Sequence, residues 1–231
     1  MKFDILTLFP DFFDGPFRIS ILKRALEKGK IEVRLHNLRD YAKDRHRTCD
    51  DTPYGGGSGL VLKPEPLWRA ISELKKKDPS SKVIVFSAKG RILNQNLLKS
   101  LKRYTSFILV AGHYEGIDER IIDHCADMEI SIGDYVLTGG EIACLAFVDA
   151  MSRLVKGVLN NKDSSEEESF DSEGLLEYDQ YTRPEVFRGW KVPEVLLSGD
   201  HEKIKMWRKE SRWKNTKMNR PDLLEKKGVK L

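Results

Sequence analysis

The chain has 231 residues, of which 40% are hydrophobic and 33% charged, and a formal net charge of +4. That balance is ordinary for a soluble globular protein of one large domain or two unequal ones. No apolar run approaches the roughly 20 residues that span a bilayer, so no membrane partner is expected. Three cysteines, Cys49, Cys125 and Cys144, are odd in number, far apart and free of any CxxC pair. They point to a reduced, cytoplasmic protein without a structural metal.

In chain order, the opening Met1-Lys2-Phe3-Asp4-Ile5-Leu6-Thr7-Leu8-Phe9-Pro10-Asp11 is apolar but broken by acids and proline, so a first strand ending at Pro10 is expected rather than a signal peptide. Further short β-like runs fall at 31–37, 82–87, 107–111 and 128–132, with the first at 2–9. Helical patterns fall at about 19–28, 64–77, 94–104, 119–125 and 141–155. Their alternation predicts a mostly parallel sheet with helices on both faces. The last of these helices is apolar nearly all round, which suggests burial in a core or against a partner subunit. A polar, acidic, Ser-rich stretch at 160–169 reads as a linker. Beyond it a small helical domain is expected, with a helix from about His201 through Arg212. Residues 200–231 hold 11 Lys/Arg against five Asp/Glu, a net of +6, which leaves about −2 for the preceding 199 residues. Trp207 and Trp213 stand among these basic residues, as suits a surface for phosphates and bases.

Two glycine-rich segments follow apolar runs directly: Ala111-Gly112-His113-Tyr114-Glu115-Gly116 and Ser131-Ile132-Gly133-Asp134-Tyr135-Val136-Leu137-Thr138-Gly139-Gly140-Glu141. Glycines just past strand ends let backbone approach a ligand, and α/β sheets bind ligands at those ends. One small molecule enclosed by both loops is the expectation. Gly55-Gly56-Gly57-Ser58-Gly59 lacks the Gly-Lys-Ser/Thr ending of a phosphate loop, and no GxGxxG follows the first strand. The segment reads as a hairpin loop, with Asp44-Arg45-His46-Arg47 beside it for a polyanion. Arg153 and the run Glu166-Glu167-Glu168 form either a surface ion pair or a general base with a stabiliser of negative charge, and spacing alone leaves both open. His46, His124 and His201 carry no pattern; His113 stands out because it lies within a ligand loop.

Six segments in one order then become recognisable: Leu8-Phe9-Pro10-Asp11-Phe12-Phe13, Asp44 through Gly59, Gly112 through Arg120, Ser131 through Glu141, Tyr181-Thr182-Arg183-Pro184-Glu185-Val186, and Val192 through His201. Together they resemble the bacterial tRNA (guanine-N1)-methyltransferase family, which methylates guanosine 37 beside the anticodon, over nearly the whole chain. The resemblance implies an α/β SPOUT-type parallel sheet with a C-terminal deep trefoil knot, followed by a small helical C-terminal domain. The expected division is a methyltransferase domain at 1–159, a linker at 160–172 and a helical tRNA-binding domain at 173–231. A cytoplasmic homodimer with active sites at the subunit interface is implied as well.

S-adenosylmethionine would be held by Phe86, Ser87, Ala88, Gly112, Tyr114, Glu115, Ile132, Gly133, Asp134, Tyr135, Val136, Leu137, Gly139 and Gly140. The resemblance makes Arg153 the stabiliser of charge developing on guanine O6 and Glu168 the base for the N1 proton, with Asp171 as fallback. The family carries Asp where this chain has Glu168, and often Arg where it has His113. The tRNA contacts are assigned to Asp50, Tyr54, Arg183, Lys205, Arg208, Arg212 and Arg220. No protein metal ligands are expected, and any Mg2+ dependence would act through the tRNA. A SPOUT ribose 2'-O-methyltransferase and a catalytically silent tRNA-binding protein are the alternatives.

Overall fold

The computed structural model describes residues 1–159 and 168–225. The chain divides into two compact units, the first ending at Asn160 and the second beginning at Asn161. Of the expected linker, residues 160–167, including Glu166 and Glu167, lie outside the described residues, as do 226–231.

The first unit runs β1 (Lys2–Thr7), α1 (Ser20–Glu27), β2 (Glu32–Asn37), β3 (Asp50–Asp51), β4 (Val61–Leu62), α2 (Pro64–Lys77), β5 (Lys82–Ile92), α3 (Gln95–Leu101), β6 (Ser106–Ala111), α4 (Glu119–Cys125), β7 (Met128–Ser131) and α5 (Glu141–Arg153). Five of these strands pair in parallel in the order β2-β1-β6-β5-β7. The central strand β6 is buried along its whole length, which is why Phe107 through Ala111 reads as an unbroken apolar run. Its neighbours sort their side chains by strand alternation. Phe3, Ile5, Ile84, Phe86, Phe107, Leu109 and Ile130 form one core with α1, α3 and α5. Leu6, Val83, Val85, Ile108 and Val110 form the other with α2 and α4. In the first core the Phe147 ring meets Phe107 edge-on at 5.4 Å, Phe86 at 5.9 Å and Phe3 at 6.4 Å.

Two strand ends depart from the sequence expectation by more than one residue. Strand β1 stops at Thr7 rather than Pro10, because the Thr7 hydroxyl accepts from Phe9 N–H (2.9 Å) and Pro10–Phe13 turns as a 3-10 helix. Strand β5 does not end at Ser87. After a register shift between Phe86 and Arg91 it pairs again with β7, Arg91 opposite Ile130. Helix α5 is buried on one side only, through Ala143, Cys144, Phe147, Val148 and Met151, while Ile142 on the other side is 46% exposed.

The second unit contains the hairpin β8 (Val186–Phe187) and β9 (Trp190–Lys191), α6 (Glu194–Leu197), α7 (His201–Asn219) and α8 (Asp222–Glu225). Asp200 caps α7 by accepting from Lys203 N–H at 3.2 Å. With no Gly or Pro before Pro221, the helix continues seven residues past its expected end at Arg212.

At the start of β7's ladder, Asp127 accepts from Val83 N–H (2.9 Å) and from Lys82 Nζ (2.6 Å), with Lys75 at 3.6 Å. Burial pushes this carboxyl up, but those hydrogen bonds and cations outweigh it and hold it below the usual range. A carboxyl depressed in the folded state contributes stability above its unfolded pKa, about 3.9, and loses it as pH falls through the folded value. Asp127→Asn should therefore cost about 1 kcal/mol at pH 7 and progressively less as pH falls below about 4, measured by urea unfolding across that range; a cost independent of pH would contradict the assignment.

Candidate functional site

Helix α3, which follows β5, packs on one face of the sheet, and α4, which follows β6, packs on the other; α5, after β7, returns to the first. The connections therefore part at the carboxyl ends of β5, β6 and β7, and a crevice opens there. A cavity occupies it, lined by Phe86, Ser87 and Ala88 from β5, by residues 112–116 after β6, by residues 130–133 and 135–140 around and after β7, and by Ala143 of α5.

Backbone contacts lace the two glycine-rich loops together. Gly140 N–H donates to Gly112 O at 2.7 Å, and His113 bridges Gly139 in antiparallel fashion. A Cβ on Gly140 would lie 2.7 Å from Gly112 N and 2.8 Å from the Ala111 Cα, so only glycine allows this approach. Farther out, Glu115 N–H donates to Leu60 O (3.0 Å) and Leu62 N–H to Gly116 O (2.9 Å). These bonds join the cavity loop to the hairpin of β3 and β4, whose connection carries Gly55 through Gly59.

The side chains around the cavity are fixed from behind. Ser87 Oγ donates to Glu129 Oε1 at 2.5 Å, and Tyr135 OH donates to Ile132 O at 3.2 Å. Glu141, the first residue of α5, is buried, and its Oε1 accepts from the Thr7 hydroxyl at 2.8 Å. There its negative charge also complements the positive helix end. His113 packs against Phe9, with ring centroids 4.8 Å apart, and its buried Nδ1 has no hydrogen-bond partner among the described residues. Burial pushes the Cys144 thiol far up, with Glu141 adding to the shift, so this sulfur stays protonated and inert. Among the described residues no group of three or more His, Cys, Asp or Glu side chains is arranged to hold a metal ion, and no helix is long and apolar enough to cross a membrane.

Every residue assigned to the cofactor lines this cavity except Asp134, and the wall also takes His113, Gly116, Ile130, Ser131, Thr138 and Ala143. Ile130 and Ala143 belong to regular elements, so no loop signal marks them. Arg153 closes α5 in the first unit, whereas Glu168 belongs to the second. Of the residues assigned to tRNA, Asp50 starts β3, Tyr54 is fully exposed at the hairpin tip, and Arg183 and Lys205 are exposed. Arg220 pairs with Asp222 (2.8 Å). Arg208 stacks over the Tyr178 ring at 4.6 Å, and the Arg212 side chain is only 12% exposed and bonded to Asp171 at 2.6 Å. Asp171, the fallback base, is the carboxylate of that pair. The exposed lysines of α7 are Lys203, Lys205, Lys209, Lys214 and Lys217.

A parallel sheet with a glycine-walled cavity where its connections part defines an α/β protein with a candidate small-ligand site at its strand ends. The particular family follows from the whole chain: residues 1–226 match the model described as tRNA (Guanine-1)-methyltransferase TrmD, and the chain belongs to that family. It is 52% identical to a tRNA (guanine-N(1)-)-methyltransferase of Dehalococcoides mccartyi, covering 98% of this chain and 91% of the relative. It is 55% identical to the protein of that name from Geobacter sp. strain M21 (97% and 90% covered) and 54% identical to the one from Dictyoglomus turgidum (99% and 92%).

Because Gly140 holds the two cavity loops together, Gly140→Ala should destabilise the chain by about 1–3 kcal/mol through overpacking. Gly15→Ala, where a Cβ meets nothing within 4 Å, should be nearly neutral. Chemical denaturation of both variants checks this, and equal stabilities would refute the close-approach reading.

Proposed function

We propose that the protein transfers the methyl group of S-adenosylmethionine to N1 of guanosine 37 in tRNA. Membership of the family along residues 1–226 is the observation that carries this reading. The cavity's chemistry supports the methyl donor: Phe86, Ile130 and Ala143 give it an apolar floor, and loop backbone around Gly112 and Gly140 offers polar groups at its rim. His113 stands in its wall, and its buried Nδ1 has no hydrogen-bond partner among the described residues. S-adenosylmethionine, when bound, supplies an electrophilic sulfonium methyl.

The chain's own residues supply the rest. Guanine N1 carries a proton and is a poor nucleophile until that proton leaves. Glu168 takes it as general base, while the Arg153 guanidinium stabilises negative charge growing on O6. With that proton gone, N1 would be able to accept the methyl that the bound sulfonium would release. Lys205, Lys209, Lys214 and Lys217 on α7, with Tyr54 and Arg183, hold the anticodon arm by phosphate contacts and stacking. The second unit is thus a tRNA-binding domain joined through residues 160–172. Any Mg2+ requirement resides in the tRNA.

We further assign the first unit to the SPOUT class, with its C-terminal part tied as a deep trefoil knot. The close passage of residues 139–140 against the end of β6 supports that topology. Ile142 exposed on α5, together with the shallow cavity that Ile19 and Leu145 line, supports a homodimer that completes the active sites. Such an enzyme acts in the cytoplasm.

Single-turnover methyl transfer to a tRNA transcript tests these roles. Glu168→Gln should slow it about 100-fold or more with cofactor affinity unchanged, and Arg153→Ala by about 100- to 1,000-fold. Near-normal turnover by Glu168→Gln would remove the proposed base. Replacing Lys209 and Lys214 by Glu should raise the KM for tRNA and reduce its salt dependence, and a salt slope equal to that of the wild type would remove α7 from the tRNA interface.

A further inference from the structure

Past Ile204 and Trp207, the inward face of α7 turns from apolar to polar. Ser211, Arg212, Asn215 and Thr216, at helical spacing, all bond to the segment that follows Glu168. Ser211 Oγ accepts from Asp179 N–H (3.0 Å), Thr216 Oγ1 accepts from Leu176 N–H (2.9 Å), and Asn215 Nδ2 donates to Glu177 O (3.1 Å). Arg212 is the hub. Its Nη2 donates to Asp171 Oδ2 (2.6 Å), Nη1 to Glu173 Oε2 (3.2 Å) and Nε to Leu176 O (3.2 Å).

The carboxylate at the other end of that pair organises a turn. Asp171, 4% exposed, uses Oδ1 to accept from Glu173 N–H (2.9 Å) and Gly174 N–H (3.1 Å) while Oδ2 is held by Arg212. Phe170 N–H donates to Leu175 O (2.8 Å), and Ser169 Oγ accepts from Glu177 N–H (3.0 Å). Each of the three residues directly after Glu168 is thereby bonded into one turn. Phe170 is held within it at φ +64°, a left-handed conformation uncommon for a residue with a side chain.

We propose that Arg212 is a positioning residue for Glu168: its ion pair with Asp171 fixes the turn on α7, so the carboxylate is presented from a held backbone. This rests on Glu168 being the base. A buried ion pair adds little stability over apolar packing, and its use lies in specifying one geometry. Arginine's planar fork, bonded here to three separate oxygens, suits that task where a lysine point charge does not. The outer face of the same helix carries Lys205, Lys209, Lys214 and Lys217, so the tRNA contacts and the base are carried by one rigid element.

The test is a double-mutant cycle on the full chain, read by single-turnover methyl transfer to tRNA. Arg212→Lys is measured alone and in a Glu168→Gln background. Alone, it should slow transfer about 10- to 100-fold, the scale of a misplaced catalytic group, with the KM for tRNA and the melting midpoint little changed. In the Glu168→Gln background it should add nothing. An equal fold loss in both backgrounds, or a raised KM at unchanged rate, overturns the positioning role while leaving the base intact. If Glu168→Gln alone turns over normally, the base assignment falls and the positioning role with it. Should Arg212→Lys fail to fold, the isosteric Asp171→Asn takes its place in the cycle, with the same losses expected and the same results overturning the role.

Discussion

The hydrogen bond from Gly140 N–H to Gly112 O is the contact on which the cavity and the core around it depend. It brings the loop after β7 against the end of β6 at a distance that excludes any side chain at residue 140. Helix α5 starts from that point, with Glu141 anchored to Thr7 of β1. One turn farther along, Ala143 and Cys144 enter the core, followed by Phe147 among the rings of Phe3, Phe86 and Phe107. The helix that fills the core is thus the one that closes the cavity. A ligand bound between the loops would stabilise both together.

Much of this was legible in the residues. Five strands and their helices announced themselves because parallel strands buried on both faces are short apolar runs, and α2 and α4 have the bounds their patterns give. The cavity loops were legible because glycines follow strand ends. What escaped notice lacked a periodic signal. The tail of β5 pairs with β7 through Arg91 and Ile92, beyond a register shift that no alternation records. Asp134 stands in the middle of a lining loop yet off the cavity wall, which depends on the loop's path rather than its composition.

Helix α7 shows a different limit. A basic helix with few apolar residues reads as a solvated or phosphate-binding surface, since charged side chains are seldom buried. Here Arg212 is buried because the segment from Asp171 to Asp179 brings carboxylates and backbone carbonyls to it. The stripe Ser211, Arg212, Asn215 and Thr216 has the spacing of a core face, with hydrogen bonds where leucines would stand. That pattern divides the cations of α7 into an inner pair, Arg208 and Arg212, and an outer set of lysines.

A ligand cavity in the first unit, and the proposed base and a basic helix in the second, suit a single reaction. The most direct measurement is transfer of labelled methyl from S-adenosylmethionine to a tRNA transcript with guanosine at position 37, beside the same transcript with adenosine there, followed by nucleoside mapping of the product. Label is expected on the guanosine transcript alone, recovered as 1-methylguanosine. Label on a ribose hydroxyl, or on both transcripts alike, would contradict the proposed reaction.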